Sequence, residues 1–320
     1  MRLTNNLIIK RYVSNLSDSA GKLNELNEKS ITQKNFIKAS EDPTAAVKAL
    51  KVRKDLSKIS LYQSSLTELE AITTETEAAI SSLKDILDDA NTLVAQGKSG
   101  TYDADAKKTV AYSLRSIQKQ ILDIGNKQVA GKYLFNGSGK GAPFSVAGDR
   151  LLYRGKDMDS GVFSADRVLV DIGLGSFFDS THTINPNGAF DISQPGNELL
   201  GSGADADGIT NNLYHLIGQM AEMFENNNMT SIETYAEKLT EKTNDVIVMY
   251  ANIGDKCSML EYLQKKLDIS EDNRKAMQDS IEKADLTQTI MLYKSQEASY
   301  NAALQIGSKI LQMSLMDYLK

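Results

Sequence analysis

The stretch ISLYQSSLTELEAITTETEAAISSLKDILDDANTLV, residues 59–94, decides the fold. Stepping alternately three and four residues from Ile59 gives Ile59, Tyr62, Leu66, Leu69, Thr73, Thr76, Ile80, Leu83, Leu87, Ala90 and Val94. Nine of these eleven are apolar and both exceptions are Thr. Apolar residues on this spacing share one face of an α-helix, and over such a length they form a coiled-coil seam. Asp42-Pro43 supplies the start, since Asp accepts from the unpaired N–H groups of a first turn and Pro fits within it. Gly97 and Gly100 supply the stop. The expected helix, Pro43 to Ala95, is 53 residues and about 80 Å long.

Outward from this helix the same spacing recurs. Val110, Leu114, Ile117, Ile121 and Ile124 predict a second helix, packed antiparallel after a turn around residues 99–102. Leu213, Leu216, Met220 and Met223 predict a short one ending at Asn226-Asn227-Asn228. Thr230 and Glu233 have the spacing of a capping box, followed by Ile232, Tyr235, Leu239, Lys242, Val246, Tyr250, Ile253, Cys257, Leu260, Gln264 and Leu267. The two ends carry weaker stripes. One has Ile9, Tyr12, Leu16, Leu23 and Leu26, skipping Ser19; the other has Leu286, Ile290, Tyr293, Tyr300, Leu304 and Leu311, interrupted by Glu297 and Gly307. Neither stripe would hold an isolated helix in water, so the ends are expected to order only with a partner.

Between Gly131 and Gly208 lie 14 of the 21 glycines, 3 of the 4 prolines and 6 of the 8 phenylalanines, leaving the flanks almost free of helix breakers. Residues 137–208 carry 5 basic and 10 acidic side chains, a net -5 of the chain's -6. Arg150 to Arg154 and Val162 to Ile172 read as short strands, with turn signals at Pro186, Asn187-Gly188 and Pro195-Gly196. The expected organisation is mainly α. Terminal segments 1–42 and 273–320 flank the two halves of a helical core, 43–136 and 209–272, and 137–208 is a small β-rich insert. The flanking seams do not use insert residues, so removal of about 141–203 is expected to leave a folded helical core.

Composition excludes several function classes. A net charge of -6 and a pI near 5.2 give no general attraction to nucleic acid or anionic lipid. The longest apolar run, Val246 to Ala251, is six residues, far short of the roughly 20 a spanning helix needs, so no membrane insertion is expected. The start, Leu7-Ile8-Ile9 cut off by Lys10-Arg11, lacks the apolar stretch of a cleavable signal peptide.

Candidate chemistry is thin. His182 and His215 stand 33 residues apart without a metal-binding partner at helical spacing. Cys257, the single thiol, falls on an apolar stripe and reads as a small core residue. The run Asn136 to Gly141 lacks the spacing of a phosphate loop and reads as a flexible connector. Gly201 to Gly208, with Asp205 and Asp207, lacks the bidentate Glu of a calcium loop and reads as a second connector. No catalytic, metal or cofactor-binding residue is assigned, and no enzyme is expected.

Several segments in order resemble a known family. They are Met1-Arg-Leu-Thr-Asn5, Ser40-Glu-Asp-Pro43, Gly131-Lys-Tyr-Leu-Phe135 with Pro143-Phe144, and Tyr300-Asn-Ala-Ala-Leu304 running into Ser314 to Leu319. Together they are similar to the bacterial flagellar hook-associated protein 3 family, flagellin-like proteins of the hook-filament junction. The resemblance implies long antiparallel coiled-coil helices built from both terminal regions, the terminal ones forming an inner tubular layer and the insert facing outward. It implies a structural protein without catalytic activity or cofactor, exported through the flagellar type III apparatus with a chaperone. Such a protein assembles outside the cell with copies of itself, between the hook-side junction protein (hook-associated protein 1) and flagellin. The subunit interface is then expected at Ile9, Tyr12, Leu16, Leu23, Leu26, Leu286, Ile290, Tyr293, Tyr300, Leu304, Leu311 and Leu315. A flagellin filament subunit and a type III secreted coiled-coil needle-tip or adaptor protein are the competing readings; flagellins usually lack the Pro43 motif. The family usually has Thr-Gly-Lys where this chain has Thr32-Gln33-Lys34, which predicts a less sharp break after the first helix.

Overall fold

The computed structural model describes residues 2–99, 102–148, 150–160, 162–163, 167–173, 178, 183–185, 188–206 and 208–316, with side chains from residue 7 to 308. The elements are α1 (Arg2–Thr32), α2 (Pro43–Gly97), α3 (Ala104–Gly125), β1 (Gln128–Val129), β2 (Lys132–Tyr133), β3 (Phe144–Ala147), β4 (Arg150–Tyr153), β5 (Lys156–Asp157), β6 (Leu169–Val170), β7 (Phe190–Asp191), α4 (Gly196–Leu199), α5 (Leu213–Glu225), α6 (Ile232–Glu282) and α7 (Leu286–Met316). The fold is mainly α with small antiparallel sheets, as expected. Two compact units divide it, Met1–Ser60 with Asp268–Lys320, and Leu61–Leu267.

In the Leu61–Leu267 unit, the α2 seam from Leu66 to Val94 is buried throughout. Thr73 and Thr76 fit because each hydroxyl donates to the carbonyl one turn back, Leu69 and Ile72, both at 2.7 Å. Helix α6 runs antiparallel to α2 and presents Leu239, Thr243, Val246, Ile253, Leu260 and Leu263. Thr243 takes the buried place expected for Lys242, its neighbour, which instead pairs with Asp245 at 2.8 Å. No capping box forms at the α6 start: Thr230 Oγ1 donates to Asn228 Oδ1 at 3.0 Å and Glu233 pairs with Lys98. The Asp103 and Asn212 side chains cap α3 and α5.

The insert corrects the expectation most. Phe144, Leu151, Tyr153, Met158, Leu199 and Leu200 belong to the same buried cluster as Ile80, Leu114, Leu213 and Phe224. Residues 137–208 are therefore no separate domain. The α3 C-cap Asn126 brackets Phe144, donating to its carbonyl and accepting from its N–H at 3.0 Å each, and the Tyr153 hydroxyl donates to the Phe135 carbonyl at 3.1 Å. Strands β6 and β7 pack a smaller cluster, Ile172 and Phe190 against Leu66, Leu69, Leu260 and Leu263. Among the described residues of the expected Val162 to Ile172 strand, only Leu169–Val170 pair as a strand; Val162 is 87% exposed. Two hairpins turn through Ala130-Gly131 and Arg154-Gly155, all four at positive φ, the type I′ geometry that matches strand twist and favours Gly at its second position. Pro195-Gly196 opens α4 rather than a plain turn, and Pro186-Asn187 lie outside the described residues.

Asn136 to Gly141 is a fastened loop, not a flexible connector. Asn136 is buried, donates to the Gly141 carbonyl at 2.8 Å and accepts from Arg154 Nε at 2.8 Å. Asp205 is likewise engaged, accepting from the Ile209 N–H at 2.9 Å and pairing with Lys238 at 3.5 Å; Asp207 lies outside the described residues.

In the other unit α1 and α7 pack together. The Asp42 carboxylate caps α2 through the Ala45 N–H at 2.8 Å. The break after α1 is sharp rather than softened. Gln33 takes φ 56°, the left-handed conformation that costs a non-glycine residue about 1 kcal/mol or more, and so ends the helix without the family's Gly.

Candidate subunit interface

The structure divides the twelve expected interface residues. On α1, Ile9, Tyr12, Leu16, Leu23 and Leu26 are half-buried in phase with Ser19, on the face turned to α7. On α7, Tyr293 and Tyr300 face α1, but the rest of the contact stripe is Thr289, Gln296, Ala303 and Gly307. Leu286, Ile290 and Leu304 are instead 40%, 43% and 43% exposed. Within the chain the contact stripe is rotated from the apolar spacing toward the small and hydrogen-bonding residues. The reason is visible in the contacts. Tyr12 Oη donates to the Ala303 carbonyl at 2.9 Å, and Gln296 Nε2 donates to Ser19 Oγ at 2.8 Å and to the Ser19 carbonyl at 3.2 Å. The side chains of Leu311 and Leu315 lie outside the described residues.

At 3.6 residues per turn, Leu286, Ile290 and Leu304 run along one border of the contact stripe and Leu292 and Ile306 along the other. On α1, Ile8 and Val13 border the stripe in the same way, and all seven are exposed. On α7, small, hydrogen-bonding and aromatic groups face the partner helix and the aliphatic groups lie on either side, whereas the inward face of α1 is mostly aliphatic. Contiguous exposed apolar surface is uncommon on a folded protein and often belongs to an interaction site.

The linkers of this unit are tied to each other. Asn35 N–H donates to the Glu282 carbonyl at 2.7 Å, Ala284 N–H donates to the Gln33 carbonyl at 3.0 Å, and Lys34 bridges Lys283 in antiparallel fashion. Glu282 also accepts both Nε and Nη2 of Arg53 at 2.8 Å, and this bidentate contact, first among its causes, holds its carboxyl below the usual carboxylate range. A depressed carboxylate contributes stability that is complete above its unfolded value and lost as pH falls through the folded one. Protection of the Asn35 and Ala284 amides, corrected for intrinsic exchange, is expected to drop below about pH 4.5. The effect is at most about 1 kcal/mol because the pair is solvent-screened, and it should vanish in Arg53→Met. Acid-independent protection in the unmodified chain would refute the assignment.

No cluster of three or more metal-ligating side chains occurs among the described residues. His215 Nδ1 contacts Asp159, which also accepts from Thr210, and His182 lies outside the described residues. Cys257 is half-buried with Sγ 3.5 Å from Glu77 Oε2; burial first, then this carboxylate, pushes its thiol up to about 11, so it is protonated and poorly nucleophilic. A cleft of about 610 Å³ brings Arg167, Asp191, Glu198, Asp245 and Lys256 together, with no histidine or thiol among the described lining residues.

Residues 4–140 match the family model for the bacterial flagellin N-terminal helical region. Over 327 residues the chain is 22% identical to flagellar hook-associated protein 3 of Salmonella typhimurium, with 98% of each chain covered. A flagellar hook-associated protein of Vibrio parahaemolyticus has a similar structure, with TM-score 0.62 and 18% identity, covering 76% of this chain and all of that one. Hook-associated protein 3 of Legionella pneumophila gives TM-score 0.58 and 10% identity over 72% of this chain and 98% of that one. At these identities the structural matches establish a shared fold. The resemblance drawn from the terminal motifs holds.

Proposed function

We propose that this chain is a structural subunit of the bacterial flagellum, joining the hook to the flagellin filament by helical packing of its copies. The observation that carries this reading is the aliphatic border of the α1/α7 pair, Ile8, Val13, Ile290, Leu292, Leu304 and Ile306, which is exposed in the single chain. A closed tube or ring requires each subunit to meet the next through two different faces, and two apolar borders on one helix pair supply such faces. The match to hook-associated protein 3 along nearly the whole chain favours this reading over a filament subunit or a secreted needle-tip adaptor. Its neighbours are further copies of itself, hook-associated protein 1 on the hook side, flagellin on the filament side, and an export chaperone before assembly. It works outside the cell, which it reaches by the flagellar type III export route, and carries out no catalysis.

Deleting the chromosomal copy tests the reading. Cells are expected to keep hooks, lose filaments and release flagellin monomer into the medium, and a plasmid copy should restore filaments, with antibody to this chain labelling the hook-filament boundary. Label spread along the whole filament would favour a filament subunit instead.

A further inference from the structure

The apolar contacts between α1 and α7 leave their mutual register open, because Ile9, Leu16 and Leu23 recur every seven residues and a slip of seven sets one large apolar residue where another stood. Three other contacts do not tolerate that slip. A Cβ built at Gly307 would lie 2.0 Å from Tyr12 Oη and 2.2 Å from Cζ, so the phenol occupies the hole this glycine leaves, while its hydroxyl donates to the Ala303 carbonyl. Seven residues back along α7 stands Tyr300, whose ring would fill that space. Gln296 reaches both Ser19 oxygens, and seven residues from Ser19 stand Tyr12 and Leu26, neither of which offers that pair of acceptors. The linker bridge between Gln33–Asn35 and Glu282–Ala284 holds the same antiparallel pairing at the other end.

We infer that Tyr12, Gly307 and Gln296 are positioning residues that fix the register of α1 against α7, and with it the shape of the composite aliphatic face offered to the next copy of this chain. The second half of the inference rests on the proposed assembly role. The two borders of that face draw on both helices, Ile8 and Val13 on α1, and Leu304 on one side with Leu292 and Ile306 on the other side of α7. A slip of seven residues displaces the two contributions by about 10 Å at 1.5 Å per residue. The displaced face no longer repeats the surface its neighbour presents. Glycine inside a helix is otherwise disfavoured, which sets the hole at Gly307 apart from a chance small residue.

The test uses the full-length chain with Cys257→Ser and spin labels on cysteines replacing the exposed Lys22 and Lys294. One narrow distance is expected. In Gly307→Val with Gln296→Leu a second distance, shifted by about 10 Å, should appear at unchanged helical circular dichroism, and flagellin in the medium of cells carrying that variant should rise at least tenfold. Gly307→Val with Tyr12→Ala, which leaves Gln296 on Ser19 and returns space to the hole, should show the single distance and keep the filaments. Loss of fold alone would not be relieved by a second core substitution. A single unshifted distance in the double variant, or a distribution already spread over both registers in the parent, overturns the register assignment. A shifted distance with normal filaments leaves the register assignment standing and overturns the assembly role of the face.

Discussion

Excising residues 141–203 is expected to abolish cooperative folding of the Leu61–Leu267 unit. The segment contains Phe144, Leu151, Tyr153, Met158, Leu199 and Leu200, each at most 3% exposed and all within one cluster with α2, α3, α5 and α6. Truncating a single buried Phe costs about 3–5 kcal/mol and a buried Leu or Met about 2–5. Removing all six exceeds the 5–15 kcal/mol that holds a typical domain together. Backbone ties go with them, including the Leu213 N–H to the Leu200 carbonyl at 2.8 Å, which seats the first turn of α5. The shortened chain should lose helix gradually on heating, without the sharp transition of the parent. Val162→Asp, at a position 87% exposed, is the control and should move stability by no more than about 0.5 kcal/mol. A sharp melt in the shortened chain would mean that the long helices form a core of their own.

How much of this was legible in the sequence depended on what made each contact. The α2 seam was legible because its contacts are made by large apolar side chains at a fixed spacing, and the two Thr exceptions are buried only by satisfying their hydroxyls within the helix. The insert was not, because strands of two to four residues are too short for an alternating pattern to stand out. Its share in the main core also needs contacts between residues far apart in sequence. The concentration of Phe in that region was the available signal, since aromatic side chains of that size are rarely left without a core. The α7 stripe misled for a different reason. Scoring apolar residues alone skips Ser19, reads Glu297 and Gly307 as interruptions and overlooks Gln296, whereas Ser19, Gln296 and Gly307 make the contact and the aliphatic residues on either side of the α7 stripe do not. A glycine inside a long helix was the visible hint, because it persists against helix propensity where another group needs its space.

Leu304→Asp is expected to leave the isolated chain folded and exported while eliminating filament retention. Leu304 is 43% exposed and lies on the border of the contact stripe, next to Ala303, whose carbonyl takes the Tyr12 hydroxyl. In the monomer the new carboxylate stays hydrated, so the cost should remain within about 0.5 kcal/mol, the ordinary range for a surface change. Assembly alters the balance. When a neighbouring copy covers this border, the carboxylate loses its water without gaining a cation, at a cost of several kcal/mol. Each 1.4 kcal/mol is tenfold in affinity, so one contact is weakened by more than about a hundredfold, and symmetry repeats the defect at every subunit. Cells carrying the variant should show bare hooks and flagellin in the medium, with the variant chain itself secreted at the parent level. Gln305→Asp adds the same charge one residue along, on an exposed position off both borders, and should retain filaments. If both substitutions abolish filaments, net charge rather than the aliphatic border is responsible; if neither does, the terminal pair makes its subunit contacts elsewhere.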